Sequence, residues 1–133
     1  MFSHVVIGTN DLARAKALYD VVMPSLGYSR QDTGETYLGY CLPEGIGSGV
    51  NCLFVSKPFD GAPANPGNGT NVALLASSRQ QVDRFHEVSL ISGGSCEGLP
   101  GLREVHPHFY AAYLRDPSGN KLAVVCHVAM EGE

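Results

Sequence analysis

The chain has 133 residues, enough for one domain or for two very small half-domains that share a core. Hydrophobic residues make up 44% and charged residues 17%, a composition that suits a globular fold with a sizeable core. A net charge of -4 without a basic run argues against nucleic acid or an anionic membrane as partner, and no apolar stretch approaches the length of a membrane span.

Ser3 to Gly8 alternates and is rich in Val and Ile, which predicts a strand. It starts almost at the first residue, so no signal peptide is expected and the cytoplasm is the expected compartment. Asn10 or Asp11 caps a helix running to about Met23, with Leu12, Ala15, Leu18, Tyr19 and Val22 on the helical period. Pro24 and Gly27 end it. A second strand runs from Gly27-Tyr28 toward Asp32, a third from Thr36 to Cys41, and a fourth from Val50 to Val55 after a Gly-rich loop at Pro43 to Gly49.

Lys57 to Gly69, with three Pro and three Gly, reads as a linker. A strand follows at Thr70 to Ala76, then a helix from about Ser78 to Ile91 with Ser77 or Ser78 as its cap and Gly93-Gly94 as its stop. A short strand is expected near Cys96 and Glu97. Further strands run from Phe109 to Arg115 and from Lys121 to His127, joined by the tight turn Asp116-Pro117-Ser118-Gly119.

Each half thus reads βαβββ, and the halves repeat. His4-Val5-Val6-Ile7 aligns with Asn71-Val72-Ala73-Leu74, and Ala15, Leu18 and Val21 fall on Val82, Phe85 and Val88. Tyr37 and Tyr40 fall on Tyr110 and Tyr113, and Leu53 falls on Ala123. The fold expected is α+β, with two tandem βαβββ modules forming a curved, partly open mixed sheet around a cavity. Module one covers about 1–57, the linker about 57–69 and module two about 70–128.

The four cysteines, Cys41, Cys52, Cys96 and Cys126, match no zinc or CxxC spacing and are expected to be reduced. Cys41, Cys52 and Cys126 sit in strand-like runs as small apolar residues, and Cys96 lies in an exposed loop. His4 and Asn71 are polar side chains at equivalent places on otherwise apolar strands, which marks them as pocket residues or as partners of each other. Tyr37, Tyr40, Tyr110 and Tyr113 sit in strands, where aromatic rings fill the faces. Arg115 is expected to steady the turn together with Asp116.

The opening His4-Val5-Val6-Ile7 with Asn10-Asp11-Leu12-Ala13-Arg14-Ala15 resembles the vicinal oxygen chelate superfamily. So does the closing run from Phe109 to Leu122, with its Arg115-Asp116-Pro117-Ser118-Gly119-Asn120-Lys121 turn. That superfamily includes glyoxalase I, extradiol dioxygenases, fosfomycin-resistance enzymes and bleomycin-resistance proteins. The resemblance covers essentially the whole chain and implies paired βαβββ modules, either within one chain or exchanged in a homodimer.

In metal-dependent members the resemblance implies ligands at a first-strand His, at the start of the second module and at a last-strand Glu, with some members adding a fourth-strand Glu. His4 matches the first position. Asn71, Ala123 and Leu53 stand at the others. A Lewis-acid metal needs three or four N or O donors, and this set offers one imidazole and one neutral amide. The expectation is therefore a ligand pocket of His4, Asn71, Tyr113, Ala123 and Leu53 that binds a small organic molecule with no cofactor, in the manner of bleomycin-resistance proteins. The alternative is a divalent-metal lyase, thiol transferase or dioxygenase. Its ligand set would be rebuilt around His4 from His127 and one of His106 and His108. No catalytic residue is assigned by the sequence.

Overall fold

A computed structural model describes residues 2–133. The first module contains β1 (His4–Gly8), α1 (Leu12–Val22), β2 (Ser29–Thr33), β3 (Tyr37–Cys41) and β4 (Cys52–Ser56). The second contains β5 (Val72–Ala76), α2 (Arg79–Ile91), β6 (Ser95–Leu102), β7 (Tyr110–Arg115) and β8 (Lys121–Cys126). Each module builds a four-stranded sheet, in the orders β1-β4-β3-β2 and β5-β8-β7-β6. The two pairs β1–β4 and β5–β8 are parallel and all other pairs are antiparallel. The fold is the expected α+β pair of βαβββ modules, with sheets that do not close.

The helices start where their side chains can satisfy the first free backbone N–H groups. Asp11 accepts from the amide of Arg14, and Ser78 accepts from the amide of Gln81. After α1 a tight helical turn at Met23–Leu26 closes on Gly27, whose φ of 88° needs a residue without Cβ. The buried positions repeat between the helices: Ala15, Leu18, Tyr19 and Val22 on α1 match Val82, Phe85, His86 and Ser89 on α2. Val21, aligned with Val88 from the sequence, lies off this face and is 48% exposed.

One continuous core joins these helix faces to the inner faces of both sheets, including Ile7, Leu38, Tyr40, Leu53 and Val55 from the first and Ala112, Leu114, Leu122 and Val124 from the second. The Asp116 turn fastens the modules together. Asp116 is 5% exposed and accepts hydrogen bonds from Tyr19 Oη (2.6 Å), the amides of Ser118 and Asn120, and Asn120 Nδ2. Asn120 Nδ2 also donates to the Gly8 carbonyl at 2.7 Å, and Thr9 and Ser118 join their hydroxyls at 3.1 Å. Arg115 does steady this turn, through Gly119 O at 3.0 Å, but its ion pair is with Glu97 and not with Asp116.

Three expectations are corrected. First, β6 is eight residues long, not a short strand near Cys96. Register shifts between Cys96 and Gly98 and between Gly98 and Gly101 break the alternation that a sequence pattern depends on. Second, Cys41 and Cys52 are not reduced. They are register partners on β3 and β4, 4.4 Å apart at Cα, and form a disulfide. Cys96 is a free exposed thiol and Cys126 a free buried one, as expected for those two.

Third, the alignment of the last two strands of each module is off by one residue. Val5 pairs with Leu53 and Val72 with Leu122, so Leu53 corresponds to Leu122 and Phe54 to Ala123. Tyr40 and Leu53 are partners facing the helices, whereas Tyr113 and Ala123 are partners facing away from them. A one-residue shift in a strand moves every side chain to the opposite face.

Candidate functional site

The faces turned away from the helices carry the candidate chemistry. On the first sheet this face holds His4, Val6, Tyr37, the Cys41–Cys52 disulfide and Phe54. Phe54 is central, with its ring centroid 5.5 Å from that of His4 and 6.2 Å from that of Tyr37. His4 is exposed, and its Nδ1 lies 2.9 Å from Ser3 Oγ. Among the described residues, no hydrogen bond joins it to Asn71.

Two open hollows lie on this side of the first module. One of about 570 Å³ lies beneath the Gly-rich loop and is lined by His4, Cys41, Gly45 and Phe54 among others. The other, of about 680 Å³, lies between Val6, Ser56 and the linker residues Phe59 and Pro63. The linker is held there by Asn10, whose side chain donates to Ala64 O at 2.9 Å and accepts from Ala64 N at 2.7 Å. The approach is so close that a Cβ at Gly8 would sit 2.9 Å from the Ala64 Cβ.

A cleft of about 240 Å³ separates β1 from β5, between the modules. His4 and Leu53 border it, together with Asn51, Ala73 and Leu75. Of the pocket set expected from sequence, these two meet there. Leu53 is only 2% exposed and belongs chiefly to the core. Asn71, Tyr113 and Ala123 do not line this cleft.

The outward face of the second sheet is filled by its own side chains. Ala111, Ala123 and Val125 form an apolar floor, between 0% and 4% exposed, under Phe109 and Tyr113. Arg103 and Lys121 place their cationic groups 5.6 and 5.4 Å from the centre of the Tyr113 ring. Neither cation could be found from the sequence, because the two lie 18 positions apart and only the strand register brings them to one ring. At the sheet's end His127 stands edge-on to Phe109, with centroids 5.3 Å apart.

The chain is 36% identical to a glyoxalase/bleomycin resistance protein from Albidiferax ferrireducens T118. The two structures match with a TM-score of 0.83 over 95% of this chain and 98% of that one. The chain belongs to the glyoxalase/bleomycin resistance protein/dioxygenase superfamily. More distant superfamily folds also match. A glyoxalase/bleomycin resistance protein/dioxygenase family enzyme from Burkholderia phytofirmans PsJN is 19% identical with a TM-score of 0.71, covering 95% of this chain and 98% of that chain. A lactoylglutathione lyase from Agrobacterium tumefaciens is 17% identical with a TM-score of 0.63, covering 95% and 92%. No family model matches the sequence, and no curated protein matches it.

Metal-dependent members of the superfamily set a standard for the donors at positions 4, 71 and 123. Here those positions carry an imidazole, an exposed carboxamide and a methyl group. The methyl of Ala123 is 1% exposed and packed under Tyr113 and Phe109. This donor set does not fit a Lewis-acid metal, which needs at least three N, O or S ligands from the protein. The histidines proposed to rebuild it are not gathered either. His106 and His127 lie against Phe109, His108 Nδ1 is 3.2 Å from Glu133 Oε1, and His4 stands on the other sheet. Among the described residues, no group of three or more His, Cys, Asp or Glu side chains is placed to hold a metal ion.

One titratable pair lies away from these faces. His86, the α2 counterpart of Tyr19, is 4% exposed, and its Nε2 lies 3.2 Å from Cys96 Sγ. Burial holds this imidazole below its ordinary range, and the carboxylate of Asp83 only partly offsets that.

Proposed function

We propose that this superfamily member binds a small organic molecule on the outward faces of its modules, without the chelated metal of its catalytic relatives. One observation carries the reading. The position where metal-dependent relatives supply a carboxylate is Ala123, sealed beneath Tyr113 and Phe109. The open hollow lined by His4 and Phe54, and the one between Val6 and Phe59, are the kind of surface that holds an organic ligand.

The working unit we propose is a homodimer. Val6 is 57% exposed and Leu75 71% exposed on the outward faces, and a second copy laid over them would cover this apolar surface and enclose the ligand.

Metal content of freshly purified, tag-free protein that has never met a chelator is the deciding measurement. The expected result is far below one metal per chain, with no rise in melting temperature on adding nickel, zinc, manganese or iron(II). A tightly held, stoichiometric metal that is lost in His4→Ala would overturn the reading and make the protein a metal-dependent lyase, thiol transferase or dioxygenase. A melting-temperature screen of small organic compounds then tests for the ligand itself.

A further inference from the structure

We infer that Cys96 is a modification site: with His86 as its base, its thiol exchanges with small disulfides and keeps one half of them as a mixed disulfide. The pair stands apart from the outward faces proposed to bind a ligand, so neither reading depends on the other.

The sheet places the thiol. Cys96 is the register partner of Leu114, whose side chain belongs to the core beneath the helices. Paired side chains share a face, so the thiol lies on the helix side of β6 and not on the outward face. β6 is the edge strand of its sheet, with no strand beyond it. The thiol is free and exposed there, and a second copy laid over the outward faces would leave it open. The register shifts directly after it, between Cys96 and Gly98, which ends the regular pairing beside the sulfur.

His86 reaches the same sulfur from α2. It is 4% exposed, its Nε2 lies 3.2 Å from Cys96 Sγ, and among the described residues its ring makes no other hydrogen bond. The equivalent residue of α1, Tyr19, gives its hydroxyl to the carboxylate of Asp116. His86 has no such charged partner. A buried imidazole needs a partner, and for stability alone a thiol is a weak one. The same geometry is what an activated nucleophile requires: an accessible sulfur within hydrogen-bond reach of a neutral base that its surroundings hold still.

Burial holds the imidazole below its ordinary range, so it is unprotonated near neutral pH. The tautomer with its proton on Nδ1 leaves Nε2 as the acceptor for the thiol proton. Among the described residues, the titratable groups that act on this ring are Cys96, from β6, and Asp83, one turn back on α2. As Nε2 takes the proton, Cys96 Sγ attacks one sulfur of the small disulfide. A new S–S bond forms to Cys96 while the old one breaks, and the departing thiolate collects the proton from the imidazolium. The small disulfide is the oxidant: one of its sulfurs leaves as a thiol and the other stays on the protein.

The test follows release of thiopyridone from dithiodipyridine by the native protein free of reductant, with a blocked cysteine peptide as the reference thiol. Peptide mass analysis should place the adduct on Cys96, and hydroxyethyl disulfide should modify the same residue. From about pH 8 to about pH 6.5 the rate of the reference should fall about twentyfold, as its thiolate disappears. The rate at Cys96 should fall less than about threefold, because the proton stays within the pair. His86→Gln should slow the reaction near neutral pH at least about tenfold and bring back the pH dependence of the reference. Its melting curve reports whether it is folded, and if it is not, the pH profile of the natural protein decides. A rate at Cys96 that falls with pH as the reference does would overturn the inference. So would a folded His86→Gln variant that reacts as fast as the natural protein, or an adduct on Cys126 in place of Cys96.

Discussion

The hydroxyl of Tyr19, on α1, donates a 2.6 Å hydrogen bond to Asp116 Oδ2, which lies 97 positions further along the chain in the β7–β8 turn. Burial, followed by the field of Asp116, pushes the Tyr19 hydroxyl well above its ordinary pKa, so it stays a donor at every physiological pH. Tyr19→Phe is expected to cost about 2 kcal/mol, the value of one buried bond to a charged acceptor. Asp116→Ala strands Tyr19 and the Asn120 donors together and should cost about 3–5 kcal/mol. Urea unfolding of the two variants measures both, and equal losses would mean that the bonds Asp116 accepts from Ser118 and Asn120 add nothing to stability.

Ala123→Glu restores the family carboxylate at a position that is 1% exposed and roofed by Tyr113 and Phe109. The new charge is forced into an apolar floor, so melting should show a loss of about 2–4 kcal/mol at neutral pH and less in acid, where the carboxyl takes up a proton. Metal-induced stabilisation should not appear. If nickel or zinc raised the melting temperature of this variant, Asn71 and His4 would be better ligands than their chemistry suggests.

The Cys41–Cys52 disulfide joins residues 11 positions apart and closes the loop that carries the Gly-rich segment beside His4. Thiol titration in denaturant without reductant should find two free thiols per chain, those of Cys96 and Cys126. Reduction should lower stability by about 2–3 kcal/mol, because the unfolded loop regains its freedom. Four titratable thiols would show instead that the pair stays reduced, as a reducing compartment would keep it.

Asp20 links α1 to the first sheet through Arg30 Nε (2.9 Å) and Tyr40 Oη (2.9 Å), and pairs within the helix with Lys16 Nζ (3.0 Å). Burial alone would raise this carboxyl, but the hydrogen bonds from Lys16, Tyr40 and Arg30 outweigh it and hold it below its ordinary range. A pKa lower in the folded state than in the unfolded state stabilises the protein above the ordinary Asp range. That stability is lost as pH falls through the folded value. Asp20→Asn should therefore cost about 1 kcal/mol near pH 7 and almost nothing in strong acid, as thermal melts across pH will show.

Sequence alone determined what depends on local pattern. The duplicated βαβββ plan, both helices with caps narrowed to Asn10 or Asp11 and to Ser77 or Ser78, and the Asp116 turn follow from periodicity, capping chemistry and turn residues. Positions 4 and 71 follow from the repeat, and position 123 from the resemblance to the superfamily. Tertiary structure decided what depends on register. It made Phe54 rather than Leu53 the counterpart of Ala123, joined Cys41 to Cys52, and ran β6 through two irregularities that no alternation reveals. It also drew Arg103 and Lys121 to Tyr113. A strand's side chains alternate with a period of two, so a single residue of slip between partners exchanges core for surface. Only the pairing of strands distant in sequence fixes that slip.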